Sequence, residues 1–211
     1  MLIIDIYHGN NDKTPGGVID FVKIKNFGVD AVWIKATQGI GYKDPCYKKN
    51  LDGALKAGLM AGGYHFWNKN EDPEAQFKNF KSVMDTQGRG NLIGMFDWES
   101  FSALKIATQE PAAQKFMELF KATYPEKLPP VYTGAWCFDT IGAPSSYFTQ
   151  FPLWMSDYRT TVQGPRMVKT WQNWTIWQYS ESGRLPGIGG GVDMNKFIGS
   201  MDDFKKLFFI G

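Results

Sequence analysis

Short apolar runs recur along the chain, and stretches with helical spacing separate them. Leu2 to Ile6 reads as a first strand with Asp5 near its end. Gly9-Asn10-Asn11-Asp12 and Pro15-Gly16-Gly17 are loop signals, and Val18, Ile19, Phe21, Val22 and Ile24 then suit an amphipathic helix. Ala31 to Ala36 predicts a second strand, and Pro45 to Gly58 a helix that stops at its glycine. Leu59 to Trp67 predicts a third strand, and Asp72-Pro73-Glu74 opens another helix with Asp72 as cap. Asn91 to Glu99 carries a buried strand, Pro111 to Tyr124 a helix and Pro130 to Gly134 a fifth strand. Alternation of this kind argues for an α/β protein with a parallel sheet or barrel.

Beyond Gly134 the helical period fades. Pro152 to Ser156, Thr175 to Tyr179 and a stretch near Val192 read as strands, and a short helix spans Asp202 to Phe208. Neither a linker nor an internal repeat is visible, so residues 1–211 read as a single domain.

Composition narrows the function. Hydrophobic residues make up 43% and charged residues 21%, which suits a packed core rather than a disordered chain. The net charge of +2, without a long Lys/Arg run, does not suggest a nucleic-acid partner. Eight tryptophans are many for this length. Their flat faces suit stacking on sugars, and the plainer alternative is that they fill the core. Cys46 and Cys137 are the only cysteines and read as free thiols. With His8 and His65 as the only histidines, no metal-ligand spacing is present, so no metal or other cofactor is expected. His65 alone reads as a hydrogen-bonded core residue rather than a ligand.

The chemistry concentrates at strand ends. Asp97 and Glu99 flank Trp98, so on a strand the two acids share one face and Trp98 takes the other. Two neighbouring acids at the end of a core strand repel each other and lose solvation. Both effects raise the pKa of one of them, as a general acid near neutral pH requires. Asp-x-Glu by itself is common, and each candidate also has an ordinary structural reading. Yet Asp5, Lys35, Tyr64, Asp97 with Glu99, and Tyr132 all fall at the C-terminal ends of predicted strands. In parallel barrels catalytic groups gather at that edge.

The ordered motifs carry a resemblance. Trp33-Ile-Lys35-Ala-Thr37-Gln-Gly39 is followed by Tyr42-Lys-Asp44-Pro45, then Asn50, Ala54, Ala57-Gly58 and Gly63-Tyr64-His65-Phe66. Asp97-Trp98-Glu99, Pro130-Val-Tyr132-Thr133, Pro152-Leu-Trp154, Trp177-Gln178-Tyr179-Ser180 and Gly191-Val192-Asp193-Met194-Asn195 complete the set. Over nearly its whole length the chain resembles the family 25 glycoside hydrolases, the N-acetylmuramidases often called Chalaropsis-type lysozymes. The resemblance implies an irregular TIM-like barrel of five β/α units followed by three β-strands. It implies a peptidoglycan hydrolase that cleaves the β-1,4 bond between N-acetylmuramic acid and N-acetylglucosamine. Glu99 matches the proton donor, Asp97 its partner acid, and Asp5 and Asp193 two further acids of the site. Lys35, Tyr64, Phe66, Tyr132 and Gln178 are expected to bind substrate. Three positions depart from the family's pattern: Tyr7 replaces a small polar residue, Gln38 stands for Glu, and Met194 for Leu. The stretch His8-Gly9-Asn10 also looks shortened or shifted, which points to a first loop of its own shape.

Competing readings are a chitinase-type hydrolase, a wall-binding or structural module that keeps the barrel, and a metal-dependent hydrolase. The chitinase pattern wants an acid where Met95 stands. Retention of all four acids argues against the second reading, and the lack of paired His and Cys ligands against the third. Acids at alternate positions of one strand approach a sugar from one side, which suits Asp97 poorly for in-line attack and favours assistance by the substrate's own acetamido group. The expected partner is the peptidoglycan glycan strand, met by a monomer that inserts into no membrane. Met1-Leu-Ile-Ile-Asp5 lacks a basic leader, so the expectation is synthesis in the cytoplasm without a signal peptide and release onto the cell wall, as for a phage endolysin.

Overall fold

The computed structural model describes residues 1–99, 105–159 and 163–211. Among them the elements run β1 (Leu2–Ile6), α1 (His8–Asp12), α2 (Phe21–Phe27), β2 (Val29–Gln38), β3 (Tyr42–Lys43), α3 (Tyr47–Lys56), β4 (Met60–Phe66) and α4 (Pro73–Gln87). They continue with β5 (Met95–Asp97), α5 (Ile106–Thr123), β6 (Val131–Gly134), β7 (Leu153–Ser156), β8 (Ile176–Gly183), β9 (Val192–Phe197) and α6 (Met201–Phe208). The sheet order is β1-β9-β8-β7-β6-β5-β4-β2-β3, and β1 also pairs with β2. That pairing closes eight strands into a barrel and leaves β3 outside as a short hairpin partner of β2. Neighbours from β1 round to β8 are parallel, and only β9 runs against both of its partners. The expected five β/α units followed by three strands are present in outline: β1, β2, β4 and β5 each lead into a helix, and in the fifth unit β6 leads only into short 3-10 turns at Ala135–Cys137 and Ser146–Gln150.

Alternation along the strands sorts the barrel interior into layers. Trp33 and Trp154 meet inside with ring centroids 5.1 Å apart, and Phe204 and Phe208 of α6 close the floor against Trp33. Ser200 caps α6, its hydroxyl accepting from the Asp203 amide while Asp203 accepts from the Ser200 amide. One layer higher stand Asp5, Lys35, Tyr64, Asp97, Tyr132, Gln178 and Asp193. The register joins Asp5 to Asp193, Lys35 to Tyr64 and Asp97 to Tyr132.

Outside the barrel, β4 and β5 pack on α4 and α5 through Phe77, Phe80, Phe96, Phe116 and Phe120. His65 is fully buried among them, stacked on Phe116, with Nδ1 2.7 Å from the Thr37 hydroxyl and Nε2 3.2 Å from Gln76 Oε1. It is therefore a core residue, and burial pushes its pKa down to about 3, so the ring stays neutral. Gly62 and Gly63 are required by close packing: a Cβ on the first would fall 2.9 Å from the Leu92 carbonyl oxygen, and on the second 2.8 Å from the Tyr47 hydroxyl. Six tryptophans, Trp33, Trp67, Trp98, Trp154, Trp171 and Trp177, are buried, so most of the tryptophan excess serves the core.

Several boundaries differ from the sequence reading. His8–Asp12 is a short helix rather than a loop, because Asn10 ties the turn: its Oδ1 accepts from the Tyr7 amide and its own amide donates to the Tyr7 carbonyl. The following helix starts at Phe21, where Asp20 caps it, which leaves Val18 exposed. The strand at Asn91 to Glu99 shrinks to Met95–Asp97. Pro111 does not open α5, which begins at Ile106. The buried Gln109 and Ala113 hold the turns around the proline against the core. Cys46 and Cys137 are both free. Among the described residues no helix is long and apolar enough to cross a membrane.

Candidate active site

The C-terminal lip of the barrel holds a cleft of about 280 Å³, and every residue expected at a site lines it: Asp5, Lys35, Tyr64, Phe66, Asp97, Glu99, Tyr132, Gln178 and Asp193. Asp97 and Glu99 share this face although β5 ends at Asp97, because the pairing with β6 continues one residue further through the Trp98 amide. Trp98 points away and packs between Phe138 and Phe148. The Trp98 amide donates to the Tyr132 carbonyl and its carbonyl accepts from the Thr133 hydroxyl, so the backbone between the two acids is held on both sides.

Electrostatics follow from burial. Asp97 is 4% exposed, and its Oδ1 takes no hydrogen bond from any described residue. Burial first, then the charge of Glu99, holds its pKa well above the usual carboxylate range, against the pull of Lys35. Glu99 is pushed up to about 7 by burial and by the charge of Asp5, again opposed by Lys35. Lys35 donates to Gln38 Oε1 at 2.6 Å and lies 4.5 Å over the Phe66 ring, so Phe66 seats the cation beside the two acids. Desolvation lowers the Lys35 pKa and the neighbouring carboxylates raise it.

A second acid pair stands across the barrel. Asp5 Oδ2 accepts from Gln178 Nε2 at 3.0 Å and from Asn195 Nδ2 at 2.8 Å. Asn195 is fixed in turn by Trp154 Nε1, which donates to its Oδ1 at 2.8 Å. Gln178 Oε1 accepts from the hydroxyls of both Tyr132 and Tyr158, each at 2.7 Å. Burial lifts Asp5 only to about 6, because these donors favour its ionised form. Asp193 rises to about 9 through burial, the charge of Asp5 and a hydrogen bond to it. One proton therefore stays with this pair at neutral pH, on Asp193, and is shared toward Asp5.

Tyr7, Tyr158 and Glu181 also line the cleft and were not expected there. Tyr158 follows β7 on irregular chain and Glu181 lies on the exposed end of β8, where no apolar pattern marks a position. Asn195 belongs to the Gly191-Val192-Asp193-Met194-Asn195 stretch, but its service to Asp5 is visible only in three dimensions. None of the tryptophans lines this cleft, and tyrosines take that place.

The sequence matches Glycosyl hydrolases family 25 over residues 4–188. The chain belongs to that family. β9, with Asp193 and Asn195, follows the matched segment. Lysozyme M1 of Streptomyces globisporus is 31% identical over 193 residues, covering 87% of this chain and 65% of the relative. The N,O-diacetylmuramidase of Chalaropsis sp is 27% identical over 203 residues, covering 90% of this chain and 92% of the relative. The bacterial lysozyme from Streptomyces coelicolor superposes with a TM-score of 0.83 at 28% identity, covering 96% of this chain and 94% of that one. The chain thus spans just under two thirds of the length of Lysozyme M1, and nearly all of the other two.

Proposed function

We propose that this family 25 chain hydrolyses bacterial cell-wall peptidoglycan, cutting the β-1,4 bond between N-acetylmuramic acid and N-acetylglucosamine. The relatives named lysozyme and muramidase support the substrate class. The observation that carries the chemistry is the state of the Asp97–Glu99 pair: Asp97 Oδ1 is buried without a donor, next to an acid that keeps its proton to about pH 7.

In this reading Glu99 protonates the glycosidic oxygen as the bond to the leaving sugar breaks. The acetamido oxygen of the sugar on the other side attacks the anomeric carbon and closes a five-membered oxazolinium ring. Asp97 Oδ1 accepts the acetamido N–H, which orients the group and balances the positive charge that forms on it. The N–H also settles where the pair's shared proton rests: it favours an ionised Asp97 and leaves the proton on Glu99. Glu99, now a carboxylate, takes a proton from water. The resulting hydroxyl opens the oxazolinium ring and restores both the acetamido group and the β configuration.

The Asp5–Asp193 pair holds the opposite wall. The Tyr132 and Tyr158 hydroxyls donate hydrogen bonds to Gln178, which leaves Tyr64 as the buried tyrosine that donates toward substrate. Burial and the surrounding carboxylates keep the Tyr64 hydroxyl protonated well beyond neutrality. Lys35 tunes the acids, and Phe66 and Gln178 position charged neighbours.

Mass spectrometry of a borohydride-reduced peptidoglycan digest tests the bond assignment. Reduced muramic acid at the new ends is the expected result. Reduced glucosamine there would reassign the chain to glucosaminidase cleavage.

A further inference from the structure

The proposed mechanism leaves Tyr7 without a task. Tyr7 stands two positions after Asp5, just past the end of β1, where its backbone is still extended, so both side chains take the same face and both line the cleft. The residue is 37% exposed and contributes little to the core. Its ring is nevertheless held in place. A Cβ on Gly9 would fall 2.5 Å from both Cε2 and Cζ of Tyr7, so the ring lies directly over the Gly9 backbone. The neighbouring His8 ring meets it edge-on at 5.1 Å. His8 is itself anchored: Nδ1 lies 2.9 Å from Asp44 Oδ2 and 2.9 Å from the Tyr42 hydroxyl, and its amide donates to Asp44 at 3.0 Å. The Tyr7 backbone is tied by Asn10, whose Nδ2 donates to the Gly191 carbonyl on the loop before β9.

A surface tyrosine with no partner would be unremarkable. A tyrosine with one face against backbone, its edge against an anchored imidazole and its remaining surface in a glycan-sized cleft is a preorganised platform. The C–H bonds on the apolar face of a pyranose carry partial positive charge and complement the negative face of an aromatic ring. Little ordering is left for binding to impose on a ring already fixed. We propose that Tyr7 is the stacking platform of a sugar subsite beside Asp5. It would bind a pyranose of the strand that flanks the scissile bond and so set how long a glycan the enzyme grips. This rests on the glycan-hydrolase reading above.

The test uses peptide-free oligomers of alternating N-acetylglucosamine and N-acetylmuramic acid in a length series, with Tyr7→Ala, Tyr7→Phe and Gly9→Ala. Gly9 lies in α1 and its backbone suits alanine, so that change displaces the ring without removing it. On long oligomers Tyr7→Ala is expected to raise KM by about five- to tenfold with kcat within about twofold of wild type. On the shortest oligomer that is still cleaved, the difference should vanish. Tyr7→Phe should behave as wild type, and Gly9→Ala should reproduce the KM rise of Tyr7→Ala. An unchanged KM in Tyr7→Ala, or a kcat loss equal at all lengths with unchanged thermal stability, would overturn the platform. Calorimetric titration of the same long oligomers into Glu99→Gln protein, with and without Tyr7→Ala, separates the two readings. Weaker binding without Tyr7 upholds the platform even if wild type proves not to cleave, and equal binding refutes it.

Discussion

Gln178 Nε2 donates to Asp5 Oδ2 at 3.0 Å, joining β8 to β1 across the barrel. The same amide accepts two tyrosine hydroxyls through its oxygen, so one side chain orients Tyr132, Tyr158 and Asp5 together. Gln178 is 1% exposed, and its part in the cleft is to position these groups.

Gln178→Ala should therefore disturb three groups at once. It leaves two hydroxyls without their acceptor and removes a donor from a buried carboxylate. Leaving such groups unsatisfied costs about 1–3 kcal/mol each, reduced where water enters the space. The expected loss is about 2–4 kcal/mol in urea unfolding at pH 7, with a rise in the Asp5 pKa. A loss below about 0.5 kcal/mol would mean that the network carries no stability.

Asp193 gives a pH test of stability. Its folded pKa of about 9 lies above the ordinary value of 3.8, so between those limits the folded state holds a proton that the unfolded state has released. Stability from this group therefore falls as pH rises from about 4 to about 9, and Asp5 and Glu99 act in the same direction. Asp193→Asn can still donate to Asp5 and carries no such penalty. It should be more stable than wild type at pH 8 by more than about 1 kcal/mol, with the gap closing toward pH 4. A gap that widens as pH falls would contradict the assignment. Its kcat should also suffer less than that of Glu99→Gln, since Asp193 transfers no proton in the proposed mechanism.

How far the sequence already displayed the site can be judged from single residues. Asp5, Lys35, Tyr64, Asp97 and Tyr132 were legible because each ends an apolar run, and a parallel barrel collects such ends at one lip. Asp97 and Glu99 on one face with Trp98 on the other were legible too, since strand geometry is local. Tyr158 and Glu181 were not legible, because irregular chain and an exposed strand end carry no period. The small helix after Tyr7 was hidden because Gly9, Asn10 and Asn11 are loop residues by propensity. Asn10's capping bonds and its bond to Gly191 outweigh that preference. The tryptophans left core and cleft both open, because composition does not distinguish the two, and six of them are buried.

The two cysteines should both titrate as thiols. Cys137 is 8% exposed and burial pushes its pKa up to about 12, whereas Cys46 is only partly buried. A thiol reagent at pH 8 should label Cys46 first, and both in denaturant without reductant. Finding no free thiol after denaturation would contradict the structure.

Activity should follow the form of the Asp97–Glu99 pair that holds one proton, rising with pH as the pair gives up its first proton near pH 7 and falling at higher pH as it loses the second, because burial and the Glu99 charge hold Asp97 well up. The alkaline limb of kcat/KM should disappear in Glu99→Gln with whatever activity remains. An alkaline limb of unchanged midpoint in that variant would assign the proton to another group.

The most direct test of the central claim is the leaving-group dependence of Glu99→Gln and Asp97→Asn on β-glycosides of an N-acetylmuramic acid disaccharide. With an ordinary sugar leaving group, both variants should lose about a hundredfold or more in kcat. With an activated aryl leaving group that needs no proton, Glu99→Gln should recover most of its rate and Asp97→Asn should not. Recovery of Asp97→Asn, or failure of Glu99→Gln to recover, would contradict the roles assigned to the two acids.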